Sequence, residues 1–269
     1  MCWAATTLTA SRATRLIGPQ SVLAWVMLVG FVVAAPLTAA RGVPGDLGRA
    51  ELGWLALAGA GNVGGLLLVY RALRVGKVSI VAPISSTEGA IAALVAIAAG
   101  ESIGIGSALM LALIACGVVL ASIVPAEGSD EHPLQASLLA SAAALCFGAG
   151  LYSTGRISEA LPLVWSLIAP RVVGVAVVAL PLIAARRLQI SRAALPYVVG
   201  SGLAEVGGFA SYAVGARHGI AIAAVLASQF AAVAALAAFL LFRERLTRTQ
   251  LVGVVTIAAG VAVLSALRA

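Results

Sequence analysis

Trp54 to Leu73 reads WLALAGAGNVGGLLLVYRAL, an unbroken apolar run in which Asn62 is the one amide and Arg71 the one charge. A helix needs about 20 such residues, rising 1.5 Å each, to cross a hydrocarbon layer of roughly 30 Å. Outward from this stretch, comparable runs recur at approximately 20–40, 78–99, 104–124, 134–154, 162–184, 195–215, 219–242 and 250–267. The punctuation between them is short: Arg41 to Glu51, Arg71 to Lys77, Gly100 to Ser102, Pro125 to Pro133, Arg156 to Glu159, Arg186 to Arg192, Arg217 and His218, then Arg243 to Arg248. Connections this brief force neighbouring helices to run antiparallel and pack side by side. The pattern predicts an all-α polytopic membrane protein of about nine or ten spans.

Composition agrees. Hydrophobic residues make up 62% of the 269-residue chain, charged residues 10%, and mean hydropathy is +1.09. A soluble domain carries about 25% charge and cannot hide this much apolar surface from water. The net charge of +7 does not mark a nucleic-acid binder, because the basic residues stand singly between apolar runs, as headgroup anchors do. Cys2, Cys116 and Cys146 form no CxxC and have no His cluster beside them, so they read as small core residues and no metal or other cofactor is expected.

The chain repeats itself. Asn62-Val63-Gly64-Gly65 matches Glu205-Val206-Gly207-Gly208 at a shift of 143 residues (205 minus 62), which also carries Arg74 onto Arg217, Gly76 onto Gly219, Ser85 onto Ser228, Glu101 onto Glu244 and Gly117 onto Gly260. A one-residue adjustment puts Cys2 on Cys146 and Arg12 on Arg156. The halves are read as 1–124 and 134–269, joined by the acidic connector 125–133 with Glu127, Asp130, Glu131 and His132. Five helices per half, an odd number, start the second half on the opposite face and yield an inverted repeat, as many secondary transporters have. The segment Met1–Ala10 spans only about 15 Å as a helix, so the first helix is expected to be incomplete and the start to lie upstream. It has neither the basic leader nor the cleavage site of a signal peptide.

Tyr70-Arg71-Ala72-Leu73 followed by Gly76, Val78, Ser79, Ala82-Pro83, Gly100-Glu101 and Gly117-Val118 resembles the EamA-type transporters of the drug/metabolite transporter superfamily. Arg243-Glu244-Arg245-Leu246-Thr247, Gln250, Gly253, Gly260 and Val261 form the second and more specific copy of that pattern. The resemblance implies a ten-helix basket in the cell membrane. Its partners would be lipid and a small-molecule substrate such as an amino acid, sugar or drug-like amphiphile. Transport would proceed without ATP by alternating access, with export as the expected direction and a proton as the candidate coupling ion.

The polar residues at membrane depth are the candidate site. Glu88, expected midway along its helix, and Glu205 are carboxylates where charge is expensive, a placement that often marks a substrate or proton path. Arg171, after Pro170, is the one basic residue well inside a span and needs an anionic partner: Glu88, Glu205 or a substrate carboxylate. Asn62 and Gln229, with Ser85, Ser86 and Ser228, either line a polar cavity or bond neighbouring helices. Each has a plain structural alternative as a hydrogen-bonded carboxyl, an ion pair or interhelical glue. Tyr70, Tyr212 and Trp165 are open to substrate contact but expected rather as interface anchors, Gly61–Gly65 and Gly215–Gly219 as close helix contacts, and Pro83 as a kink. Glu101 and Glu244, at span ends, are assigned to structure, either capping a helix or pairing with nearby arginines.

No catalytic residue is expected. His132 and His218, the two histidines, stand on separate connectors, and no GxxxxGK[ST] loop appears. An intramembrane enzyme is the weaker rival, and a non-transporting membrane scaffold is the alternative. Loop arginines favour the face carrying Arg71, Arg74, Lys77 and Arg186 to Arg192 as cytoplasmic, which conflicts with the family's usual cytoplasmic termini.

Overall fold

The structure, a computed structural model, describes residues 2–45, 47–75, 81, 84–122, 133–229 and 247–266. Every regular element among them is helical. Helix α1 runs Cys2–Ile17 and α2 Pro19–Arg41. The expectation that the first apolar segment stops near Ala10 is corrected here. No Gly or Pro interrupts 2–17, and Ala and Arg are good helix formers, so the helix continues through Arg12 and Arg15 for about 24 Å. It ends where Gly18 takes φ +76° and Pro19 opens α2 with a preset φ.

Then come α3 (Arg49–Val75), α4 (Glu88–Ala98), α5 (Ile105–Ser122) and α6 (Pro133–Ala160). Helix α7 (Leu163–Gly174) passes through a π-helical stretch, Val175–Ala179, into α8 (Leu180–Ala184). The last three are α9 (Leu195–Ala216), α10 (Ile220–Ala227) and α11 (Arg248–Ala266). Among the described residues, Pro19–Arg41, Arg49–Ala72, Leu134–Ala160 and Leu163–Ala184 are long and apolar enough to cross a membrane. Helix α9 has the length, at 22 residues, but Glu205, its serines and its glycines dilute its hydropathy. Large apolar side chains such as Val32, Leu94, Leu138 and Val255 point outward, as lipid-facing residues do. The chain is a multi-pass α-helical membrane protein.

Two compact units emerge, and neither is a continuous stretch of sequence. One combines Met1–Val63 with Ser153–Arg217, the other Gly64–Tyr152 with His218–Ala269. Each draws on the chain both before and after the connector 125–133, and α3 and α6 are divided between them. In the first unit α1 packs on α2 and α9, and α2 packs on α7, the π-helical stretch and α9. In the second, α5 packs on α11 and α4 on α10.

Helices approach closely at glycines, and several of these contacts come in matched pairs. In the first unit a methyl at Gly202 would fall 2.6 Å from Val29, and Gly59 abuts Val173 in the same way. In the second, Gly260 would crowd Ile114 at 2.6 Å and Gly117 would crowd Ile257 at 2.9 Å. Gly65 faces the ring of Phe147 in the second unit, as Gly208 faces Trp3 in the first. In every pair the two contacts are exchanged by the shift of 143 or 144 residues seen in the sequence.

The Gly215–Gly219 expectation changes. Gly219 has φ +136° and precedes α10, so it serves the turn into that helix. The connector acids, His132, Glu244 and the kink expected at Pro83 lie outside the described residues.

Candidate functional site

The first unit gathers three of the expected residues. Arg171, on α7, is fully buried at 0% exposure; Glu205, at the middle of α9, and Asn62, on α3, are buried at 8% each. Glu205 is the charge that acts on Arg171, and the Asn62 side chain lies within hydrogen-bonding reach of the Glu205 carboxylate. Beneath the guanidinium is Phe209, one helical turn after Glu205, with its ring centre 4.6 Å from Arg171 Cζ. The glycine of α2 makes the room: a Cβ on Gly30 would lie 2.9 Å from Arg171 Nε and 3.1 Å from its Cγ.

Around this group lies an apolar cluster of Ala34, Leu167, Ile168 and Phe209, backed by Trp3, Phe31, Trp165 and Val206. Nε, Nη1 and Nη2 of Arg171 have no hydrogen-bond partner among the described residues, and neither do Trp165 Nε1, Ser166 Oγ or Asn62 Oδ1. Ser166 escaped the sequence reading, since one serine in an apolar run carries no periodic signal. Trp165 and Tyr212 were expected as interface anchors; instead Trp165 packs against the core cluster and Tyr212 is buried with its ring 6.3 Å from that of Trp3. Interior rings satisfy the same hydropathy pattern as boundary rings, so sequence alone cannot separate the two.

The second unit holds Ser85, Ser86, Glu88, Ser228 and Gln229. Glu88 is buried, but it is the first residue of α4 and not a mid-helix residue as expected. Ser86 and Thr87 form a turn ahead of it. The Thr87 hydroxyl donates to Ile84 O at 2.7 Å and its amide donates to the same oxygen at 3.2 Å, drawing that carbonyl away from the helical ladder. Helix α10 ends likewise, in a turn at Ser228 and Gln229. Ser228 Oγ donates to Val225 O at 2.9 Å, and a Cβ on Gly89 would meet that hydroxyl at 2.7 Å. Ser85 Oγ and Gln229 Nε2 are buried without hydrogen-bond partners among the described residues.

The capping assignment of Glu101 is realised in this unit. Its carboxylate accepts the backbone N–H groups of Ile220 at 3.1 Å and of Ala221 at 3.1 and 3.2 Å, closing the start of α10. In the first unit Arg217 Nε donates to Ser158 O at 2.7 Å, at the end of α6.

Apolar helices with ionisable and amide groups turned inward are those of a multi-pass membrane protein. Residues 1–123 match the model of the EamA-like transporter family, which bears out the resemblance to EamA-type members of the drug/metabolite transporter superfamily. The match lies on the first half, whereas the more specific motif copy stands at Arg243 to Val261. A solved structure whose title reads only "Crystal structure of protein" is similar over 99% of this chain and 94% of its own, with a TM-score of 0.80 and 18% identity. At that identity the likeness is one of fold. No curated protein matches the chain at a significant level.

Proposed function

We propose that this chain is a secondary transporter. It carries a small metabolite, such as an amino acid, sugar or drug-like amphiphile, out across the cell membrane by alternating access between two inverted five-helix repeats, 1–124 and 134–269. The observation that carries the reading is the fully buried Arg171 with Glu205 and Asn62 beside it. A helical scaffold has no use for an ionised guanidinium in an apolar bundle, where burial costs several kcal/mol. A solute pathway does.

Support for the inverted repeat comes from the exchanged contacts: Gly59 with Val173 against Gly202 with Val29, and Gly117 with Ile257 against Gly260 with Ile114. Two copies related by a two-fold axis make each contact twice with the roles swapped. Glu88 at the start of α4 and Glu205 are the groups proposed to exchange a proton with the solute, and the helix interrupted by the turn at Ser86–Thr87 fits the broken helices of such carriers. Neither the substrate-binding role of Ser85, Ser86, Ser228, Gln229 and Asn62 nor the coupling role of the acids requires an enzyme's nucleophile or cofactor.

The test is uptake or counterflow of candidate metabolites in proteoliposomes under an imposed pH gradient. Transport should follow the gradient and fall in Glu88→Gln and in Glu205→Gln. Transport that is unchanged in both variants removes the two acids from the mechanism, and no movement of any solute class by wild-type protein removes the reading.

A further inference from the structure

The second copy of the repeat carries two charges where the first copy has none. Arg171 and Met27 occupy matching places: Arg171 lies against Gly30 of α2, Met27 lies against Gly174 of α7, and both members of the pair move by 144 residues (171 minus 27). Glu205 stands where the first copy has Asn62. Met27 is 0% exposed, as Arg171 is. An apolar thioether therefore fills this niche in one copy, and packing alone does not call for a guanidinium in the other. The charge needs another cause.

The pattern of unmet hydrogen bonds identifies it. Three nitrogens of Arg171 and the indole N–H of Trp165, which can only donate, lack partners among the described residues, as do Asn62 Oδ1, which can only accept, and the Ser166 hydroxyl, which can do either. The excess is of donors. Glu205 acts on Arg171 electrostatically, yet no ion pair joins the two among the described residues, so the guanidinium fork stays open. A planar fork of five N–H groups matches a carboxylate in bidentate fashion, which a point-charge lysine cannot do. Phe209 covers one face of the guanidinium, and the rings of Trp3, Phe31 and Trp165 belong to the same cluster.

We infer that Arg171 is the recognition residue for a carboxylate on the solute, that the rest of this solute is apolar or aromatic, and that Glu205 supplies the counter-charge when no solute is bound. The word solute rests on the transport reading, but the binding site is measurable without transport.

Purified full-length protein is followed by thermal unfolding with phenylacetate, its neutral amide phenylacetamide, the cation 2-phenylethylamine, and inorganic phosphate. Phenylacetate should raise Tm by mass action and the other three should not. Arg171→Met, the side chain that the first copy already accommodates, should fold and lose the shift. Arg171→Lys should weaken apparent affinity by about tenfold or more, since it keeps charge without the fork. Glu205→Gln, which removes the competing anion, should tighten binding even as it slows transport.

Four results each overturn the site: an equal shift with the amide or the amine, a shift with phosphate alone, an undiminished phenylacetate shift in Arg171→Met, or no shift with phenylacetate in wild type. If Arg171→Met does not fold, equal phenylacetate affinity in Arg171→Lys and wild type overturns it. Uptake is read separately. Binding without uptake leaves the carboxylate site standing and removes transport, while uptake indifferent to a carboxylate does the reverse.

Discussion

Gly30 leaves no space for a Cβ on the α2 face that meets Arg171, because that atom would sit 2.9 Å from Nε, in the middle of the arginine side chain and not at its free end. Gly30→Ala is therefore expected to displace the guanidinium and to destabilise the fold by about 1–3 kcal/mol, the usual range for overpacking. Thermal unfolding paired with phenylacetate titration checks this. Unaltered affinity in a stable Gly30→Ala protein would show that the guanidinium position is not set there. At this scale the sequence revealed the charges readily. Arg171 and Glu205 stand out in apolar runs, and membrane physics alone singles them out. It did not reveal Phe209 or Gly30, because a ring and a glycine look alike in any apolar helix until the facing helix is known. Glu88 was found as a residue and misplaced along its helix, since a hydroxyl that diverts one carbonyl leaves no mark in hydropathy.

The helices were legible wherever strong punctuation exists. Gly18-Pro19, Gly42 and Pro162 end or begin helices as their backbone preferences require. Hydropathy misjudged α1, since Arg12 and Arg15 interrupt an apolar run without interrupting a helix. The cap on α10 makes a second prediction. Glu101 serves two amides at the first turn of that helix, and Glu101→Ala is expected to cost about 1–2 kcal/mol, with Glu101→Gln losing less. Gly219→Ala should be costly on two counts: a residue with a side chain at φ +136°, and a Cβ 3.1 Å from Glu101 Oε1. Chemical or thermal denaturation in detergent reads both. A Glu101→Ala protein as stable as wild type would remove the carboxylate from the list of structural groups.

At the scale of the whole molecule, the internal repeat is the sequence signal on which the proposed two-half organisation rests, and the paired glycine contacts support it. What the sequence did not show is how the halves interleave. The compact units each combine segments from both, a property of long-range packing that no local pattern encodes. The interleaving has a consequence for stability. Cutting the chain within 125–133 and expressing 1–124 alone should give a protein that does not fold by itself, since every helix pair in close contact between α1 and α9, α2 and α7, α4 and α10, and α5 and α11 joins residues on either side of that connector. Recovery of helical, monodisperse protein only when both pieces are co-expressed is the expected result, and a stable isolated 1–124 would contradict it.

The central claim is that the two halves face opposite ways in the membrane, and sided labelling tests it most directly. In a variant with Cys2, Cys116 and Cys146 replaced by Ala, single cysteines are placed at Gly45, where a side chain meets nothing within 4 Å, and at Gln189, in the matching connector of the second half. Both positions are exposed. With an impermeant maleimide applied to intact cells, one of the two should react from outside and the other only after the membrane is opened. Reaction of both from the same side would contradict the inverted repeat and the alternating-access mechanism built on it.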